Sequence, residues 1–145
     1  MYDRFNRRIS YLRISVTDRC NFRCAYCMPA EGVPLKNHAE ILSFDEIAAI
    51  VRVGAVLGLK KIRLTGGEPL MRKDLPTLVK MIAAVDGIEE IALTTNGVFL
   101  PQLAKPLKNA GLNRVNISLD TLDAEKFNKI TRGGALNDVL KGIDV

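Results

Sequence analysis

Strand-like segments alternate with helix-like segments four times along this chain of 145 residues, and this order constrains its fold more than any other feature. Strands that alternate with helices form a parallel sheet, because each helix returns the chain across the sheet. A chain of this length can bury one sizeable core, so we expect a single α/β domain. The predicted strands are Tyr11–Thr17, Lys61–Thr65, Ile91–Asn96 and Arg114–Asp120.

Capping residues and glycines mark where the predicted helices begin and end. Ser43, with Glu46 three residues later, predicts a capping box at the start of the first helix. Gly58 can end that helix, and Asp74 can cap the second one. The remaining helices are predicted from just after Gly97 to Ala110, at about 123–130 and from about 136 to the terminus.

Each predicted strand has one apolar and one polar face, since side chains alternate across a strand. In the first strand Leu12 and Ile14 oppose Arg13 and Ser15. Strands covered by helices on both faces are nearly continuous apolar runs, so helices can cover only one face here. We therefore predict a partial parallel (β/α) barrel with helices outside, a polar interior and function at the carboxyl ends of the strands.

Three cysteines follow the first strand, and they are the only cysteines of the chain. Cys20, Cys24 and Cys27 have the spacing C-x3-C-x2-C. A four-iron cluster normally takes four thiolates, so three would leave one iron open to a ligand. Zinc is the alternative, but it usually takes four ligands, and the only histidine, His38, lies eleven residues beyond Cys27. The odd number of cysteines argues against a disulfide framework.

A Gly-Gly turn, with the sequence Gly66-Gly67-Glu68-Pro69, directly follows the second predicted strand. Glycine lets the main chain approach a ligand closely, because it has no side chain. The carboxylate of Glu68 can accept hydrogen bonds from an ammonium group. A tight loop without a ligand is the alternative interpretation of this turn.

Composition limits the class of protein and its partners. The chain is 48% hydrophobic, yet no apolar run approaches the ~20 residues that span a bilayer. Nothing at the amino end resembles a targeting peptide, so we expect a cytoplasmic protein. The net charge of +5 permits an anionic partner without identifying one. We expect neither a membrane nor a nucleic acid as a partner.

The cysteine loop resembles that of radical S-adenosylmethionine enzymes, which use C-x3-C-x-aromatic-C. In that superfamily the amino and carboxylate groups of S-adenosylmethionine chelate the open iron of a [4Fe-4S] cluster, and reduction yields a 5′-deoxyadenosyl radical. The resemblance implies that Tyr26 lies beside the adenine, with an aromatic plug over the cluster as the alternative. It implies binding of the cofactor's amino group at Gly67 and Glu68, and a further cofactor contact at Ser118.

Four longer runs occur in order: Y-L-R-I-S-V-T-D-R-C-N-F-R-C-x-Y-C-M-P, I-R-L-T-G-G-E-P-L-x-R, L-T-T-N-G and N-I-S-L-D-x-L-D. They resemble the GTP 3′,8-cyclase family, lyases of molybdenum cofactor biosynthesis that join C3′ of the GTP ribose to C8 of guanine. The resemblance implies GTP contacts at Arg13, Arg63 and Thr94, and guanidinium groups suit phosphate oxygens. An ion pair of Arg13 or Arg63 with Asp120 or Glu68 is the alternative.

The resemblance also implies partners and a missing part. The partners are GTP, a reductant protein of the flavodoxin or ferredoxin type, and the next enzyme of molybdopterin synthesis; a homodimer is left open. Members of the family carry a second cysteine triplet in their carboxyl-terminal part, and no cysteine follows Cys27 here. We therefore expect residues 1–145 to be the amino-terminal part of such a barrel, with an open sheet edge. Alone, this part is expected to bind a cluster but not to cyclise GTP.

Two other functions are compatible with the cysteine loop. One is a different radical S-adenosylmethionine enzyme, acting in peptide modification or haem maturation. The other is a metal-binding module without catalysis. Arg13, Arg63 and the L-T-T-N-G run favour the cyclase over the first of these.

Overall fold

The computed structural model describes residues 2–145, except for the side chain of His38. It contains four strands and five α-helices within this range, in the alternating order that the sequence predicts. The strands are β1 (Tyr11–Ser15), β2 (Lys61–Thr65), β3 (Glu90–Thr95) and β4 (Arg114–Ile117). The helices are α1 (Phe44–Val56), α2 (Leu75–Ala83), α3 (Leu100–Asn109), α4 (Ala124–Thr131) and α5 (Leu136–Ile143).

The four strands form one parallel sheet in the order β1-β2-β3-β4. Arg13 pairs with Arg63, which pairs with Ala92, which pairs in turn with Arg114. Paired residues of parallel strands point to the same face, so this row belongs to the predicted polar face. Within residues 2–145 the sheet does not close, and the outer strand β4 is exposed at Arg114, Val115 and Asn116. The predicted open edge is confirmed for this part of the chain.

The main core lies between the sheet and helices α1, α2 and α3. Apolar side chains of β2 and β3 point towards these helices, as the alternation predicts. Burying one such side chain stabilises the fold by about 1.5–3 kcal/mol, so this layer holds the sheet in place. Its fully buried members include Ile47, Val51, Ile62, Leu64, Leu75, Leu78, Val79, Ile82, Ile91, Leu93 and Leu107.

The start of α1 confirms the predicted capping box. The Ser43 hydroxyl accepts a hydrogen bond of 3.2 Å from the Glu46 amide, and the Glu46 carboxylate accepts one of 2.7 Å from the Ser43 amide. The predicted cap at Asp74 is wrong. Asp74 precedes α2 but has a left-handed backbone with φ 58°, and its side chain makes no capping bond. An extended backbone is what lets a capping side chain reach the helix amides.

Three predicted strands extend beyond the observed carboxyl ends, and the third helix begins later than predicted. β1 ends at Ser15, β3 at Thr95 and β4 at Ile117. Gly97 precedes α3 in a left-handed turn with φ 87°, so the helix begins at Leu100 instead. The residues beyond the strand ends leave the sheet, and they build the loops described below.

Candidate functional site

The cysteine loop and the Gly-Gly turn lie together at the carboxyl edge of the sheet, as predicted. The Gly67 amide donates a hydrogen bond of 2.8 Å to the Thr17 carbonyl. The Glu68 amide donates one of 2.7 Å to the Arg19 carbonyl. Two consecutive main-chain bonds therefore join the turn after β2 to the segment that leads into Cys20.

Close approach to the chain's own backbone explains the two glycines. A Cβ atom on Gly66 would collide with the Thr17 carbonyl oxygen, and one on Gly67 would collide with the Arg19 carbonyl oxygen. The sequence predicts that these glycines admit a ligand, whereas the structure shows that they admit the cysteine segment. Contact of Gly67 with a cofactor stays a prediction.

The carboxylate of Glu68 is buried, and its side chain is only 1% exposed. Its Oε1 accepts hydrogen bonds from the Thr95 hydroxyl at 2.6 Å and the Leu70 amide at 3.0 Å. Its Oε2 accepts one from the Asn96 amide at 2.8 Å. Burial raises the pKa of Glu68, and the bonds from Asn96, Thr95 and Leu70 oppose that rise.

A side-chain bond extends this network to the cysteine loop. Asn96 Nδ2 donates a hydrogen bond of 2.8 Å to Asn21 Oδ1, and Asn21 directly follows Cys20. The sequence did not indicate Asn21 as part of the site, and it placed Thr95 and Asn96 at the functional edge of the sheet without a role for either. The only sequence feature that indicated this network was Thr95, a polar residue in the apolar series of β3. Thr95 is only 2% exposed.

The three cysteines carry free thiols. Cys20 and Cys24 are partly buried beside the small core of Phe22 and Phe127, whereas Cys27 is exposed. The Cys27 amide donates a 2.9 Å bond to the Cys24 carbonyl, which bends the loop into a turn. Burial raises the pKa of the Cys20 and Cys24 thiols.

The chemistry of these donors fits an iron–sulfur cluster. The loop offers three thiols, and thiolates are the ligands that iron–sulfur clusters take. Within residues 2–145, His38 side chain aside, no three His, Cys, Asp or Glu side chains form a group that could hold a metal ion. Cys20, Cys24 and Cys27 are the residues that would hold such a cluster.

Helix α4 and the residue after it support the cysteine loop. The Arg23 amide donates to the Thr131 carbonyl at 3.1 Å, and the rings of Phe22 and Phe127 meet edge to face. The Arg132 guanidinium donates to the Met28 carbonyl at 2.8 Å. No local pattern in the sequence predicts these contacts, because α4 lies about a hundred residues further along the chain.

Arg63 and Thr94 lie together on the polar face of the sheet. Arg63 Nη1 donates a hydrogen bond of 3.3 Å to the Thr94 hydroxyl, and Arg13 Nη2 donates one of 3.4 Å to the Thr65 hydroxyl. Arg63 Nε is buried and has no partner among the described residues. A buried donor without an acceptor costs about 1–3 kcal/mol, so this atom favours a ligand that supplies one.

The ion-pair alternative for the two arginines is not what the structure shows. Among the described residues, neither Arg13 nor Arg63 forms a salt bridge with Asp120, Glu68 or any other acidic side chain. The Arg63 guanidinium instead lies 5.9 Å from the centre of the Tyr11 ring. Both positive charges therefore remain available at the polar face.

The predicted cofactor residues Tyr26 and Ser118 lie at the rim of this site. Tyr26 is 68% exposed, and its hydroxyl donates a hydrogen bond of 2.9 Å to Asp120. Ser118 lies one residue beyond β4, and its amide donates to the Thr95 carbonyl at 2.9 Å. The described residues therefore place the cysteine loop, the Gly-Gly turn and the end of β4 around one edge of the sheet.

The chain is similar in sequence to bacterial proteins named GTP 3′,8-cyclase. It is 60% identical to that of Moorella thermoacetica over 143 residues, which are 99% of this chain and 44% of the relative. It is 55% identical to that of Alkaliphilus oremlandii over 144 residues, which are 99% of this chain and 45% of the relative. The chain thus spans less than half the length of these curated relatives.

Solved structures share the fold at low sequence identity. Streptococcus suis SuiB bound to precursor peptide SuiA matches 92% of this chain and 29% of its own, with a TM-score of 0.71 and 20% identity. Histidine-tagged anSMEcpe with bound AdoMet matches 92% of this chain and 38% of its own, with a TM-score of 0.71 and 19% identity. These likenesses confirm the predicted α/β class and the partial barrel.

Two findings complete the comparison. No helix described in residues 2–145 is both long enough and apolar enough to cross a membrane.

The radical SAM superfamily matches residues 14–145, a segment that begins in β1 and contains the cysteines, the Gly-Gly turn and Ser118. Since the match covers most of the chain and agrees with the loops gathered at the sheet edge, the chain belongs to the radical SAM superfamily.

Proposed function

We propose that this chain forms the radical-generating half of a GTP 3′,8-cyclase, an enzyme that converts GTP to 3′,8-cyclo-7,8-dihydro-GTP in molybdenum cofactor biosynthesis. The observation that carries the proposal is the buried Arg63 Nε without a partner among the described residues, on a polar face that also carries Arg13 and Thr94. The 60% identity to a GTP 3′,8-cyclase over nearly the whole chain supports the same substrate.

Cys20, Cys24 and Cys27 are proposed to hold a [4Fe-4S] cluster with one iron left open. When bound, the cluster and S-adenosylmethionine supply a 5′-deoxyadenosyl radical. The chain's own contribution is to hold the cofactor at the carboxyl edge of the sheet. Tyr26 is proposed to lie beside the adenine, and Ser118 to contact the cofactor as well.

The Gly-Gly turn is proposed to contact the amino group of the cofactor. Gly67 and Glu68 are proposed to offer their main-chain carbonyl groups to the amino group of the cofactor. The Gly67 amide is already engaged by the Thr17 carbonyl, so the groups left for a ligand are carbonyls. Carbonyl oxygens accept hydrogen bonds, which suits an ammonium group.

The polar face is proposed to bind the triphosphate and ribose of GTP. Arg13 and Arg63 are paired across neighbouring strands, so their guanidinium groups can approach the same anion. Each charge-assisted bond to a phosphate oxygen is worth about 1.5–3 kcal/mol. Thr94 already contacts Arg63, and it can hold that guanidinium in place for the substrate.

The wider setting is proposed on the same basis. A flavodoxin- or ferredoxin-type protein would deliver the electron, and the next enzyme of molybdopterin synthesis would take the product. A homodimer is compatible with the exposed outer strand, and a cytoplasmic location agrees with a soluble nucleotide substrate. Each of these rests on the cyclase assignment.

A chimera tests the proposal directly. The matching 143 residues of the Moorella thermoacetica enzyme are replaced by this chain, and the reconstituted protein is incubated with GTP, S-adenosylmethionine and reductant. We expect 3′,8-cyclised GTP by mass spectrometry, and none from the Cys24→Ala version. A chimera that folds, holds its clusters and cleaves S-adenosylmethionine but leaves GTP unchanged would overturn the assignment of the substrate.

A further inference from the structure

The buried carboxylate of Glu68 joins two loops of the site. It lies on the turn after β2 and accepts bonds from Thr95 and Asn96, which end and follow β3. With the Leu70 amide as a third donor, Oε1 uses two of its acceptor positions and Oε2 uses one. A carboxylate that is 1% exposed and bonded in this way is part of the fold's interior.

The partners of the Glu68 carboxylate show that it does not point to the polar face of the sheet. Thr95 follows Ile91 and Leu93 in the apolar series of β3, whereas Thr94 belongs to the polar series. The Glu68 carboxylate contacts the Thr95 hydroxyl, so it points towards the helix-covered side of the sheet. The side chains proposed to meet GTP lie on the other side.

A chain of bonds leads from Glu68 to the first cysteine. Glu68 fixes the Asn96 amide, and the Asn96 side chain donates to Asn21, the residue after Cys20. The Glu68 amide also donates to the Arg19 carbonyl, on the other side of Cys20. Glu68 is therefore connected to both neighbours of Cys20. Its main chain bonds directly to Arg19, and its side chain reaches Asn21 through Asn96.

We infer that Glu68 is a positioning residue that holds Cys20 and its loop in place through Asn96 and Asn21, and that its carboxylate does not bind the cofactor's ammonium group. This inference rests on the proposed function only in assuming that the cysteine loop binds a cluster and S-adenosylmethionine. It makes no use of GTP. An ammonium group could reach Oε1 only by displacing Thr95 or Leu70, and the remaining acceptor position of Oε2 is buried with the rest of the side chain.

Hydrogen exchange of the protein without cluster gives the first test. Asn21→Ala removes the acceptor of the Asn96 bond without changing Glu68, and Glu68→Gln disturbs the start of the network. We expect amides of residues 19–25 to exchange roughly three- to tenfold faster in both variants, as the loss of one hydrogen bond implies. Glu89→Gln, an exposed residue at the opposite edge of the sheet, should leave that segment unchanged.

Two ligands give the second test, on the reconstituted chain. S-Adenosylmethionine carries the ammonium group, whereas its deaminated 2-oxo analogue keeps the sulfonium and the carboxylate without it. If Glu68 positions the loop, Glu68→Gln and Asn21→Ala weaken both ligands by similar factors. Loss confined to S-adenosylmethionine in Glu68→Gln, with Asn21→Ala unaffected, would overturn the inference.

The outcome remains decisive if one variant or one ligand fails. Should Glu68→Gln not fold, unchanged exchange in Asn21→Ala would by itself contradict the inference, and faster exchange would support it. Should the wild-type chain bind neither ligand, the exchange of residues 19–25 decides alone. A failure of the cyclase assignment would appear in the chimera's products and would leave these results as they are.

Discussion

The hydroxyl of Tyr26 donates a hydrogen bond of 2.9 Å to Asp120, which joins the cysteine loop to the segment after β4. Ser118 lies two residues before Asp120, so the bond sets the distance between two predicted cofactor contacts. Although most of the Tyr26 side chain is exposed, desolvation of its hydroxyl and then the bond to Asp120 raise the pKa of Tyr26. The bond thus connects the two predicted contacts through the chain itself.

Removing the acceptor of this bond should weaken the binding of S-adenosylmethionine. We expect Asp120→Ala to lower the affinity of the reconstituted chain by roughly three- to tenfold, because one hydrogen bond no longer holds Tyr26. Asp120→Asn keeps an acceptor oxygen and should restore most of the affinity. Calorimetry measures both, and Tyr26→Phe combined with Asp120→Ala should be no worse than either change alone.

Arg63 should contribute more to GTP binding than to cofactor binding. In the chimera we expect Arg63→Ala to cost about 1.5–3 kcal/mol of GTP binding free energy, because a charge-assisted contact is lost. Arg13→Ala should act in the same direction. Arg52→Ala, an exposed residue of α1, is the matched control. Equal GTP affinity in wild type and both site variants, measured by calorimetry, would exclude the polar face as the binding surface.

The buried carboxyl of Glu68 should make stability depend on pH. Burial raises its pKa in the folded chain above the unfolded value of about 4.3. The folded state then binds the proton more tightly, so the carboxyl's contribution is present at low pH and lost as pH rises through the folded pKa. The difference in unfolding free energy between wild type and Glu68→Gln should therefore fall as pH rises from about 4.

Glu46 offers a control of opposite sign. Hydrogen bonds from Ser43 hold the pKa of Glu46 below its usual range, so its contribution is present above the unfolded pKa and lost as pH falls. Urea unfolding of the protein without cluster, at a series of pH values, measures the difference in unfolding free energy between wild type and Glu68→Gln and that between wild type and Glu46→Gln. A Glu68 difference with the same slope as that of Glu46 would contradict the burial of the Glu68 carboxylate.

Local patterns in the sequence were sufficient for the sheet and its two faces. Alternation in Tyr11–Ser15 and Lys61–Thr65 placed Arg13 and Arg63 on one face, and the structure pairs them. The capping box of Ser43 was equally readable, since both partners lie within one helical turn. Each of these features depends on residues a few positions apart, so the sequence shows them directly.

Contacts between distant segments could not be predicted in the same way. The sequence does not show which donors the Glu68 carboxylate bonds to, because many residues of the chain could donate to it. Thr95 and Asn96 become its partners only when the turn after β2 folds against the end of β3. The support of the cysteine loop by Arg132 depends on where α4 ends in space. Asp74 is a common capping residue, but the left-handed backbone there overrides its preference.

The cluster is the central claim, and the measurement that tests it most directly is iron and sulfide analysis after anaerobic reconstitution, with electron paramagnetic resonance of the reduced protein. We predict one four-iron cluster per chain, a spectrum that changes when S-adenosylmethionine is added, and loss of the cluster in Cys24→Ala. Zinc in place of iron in the wild-type chain, or full iron content in Cys24→Ala, would contradict the account.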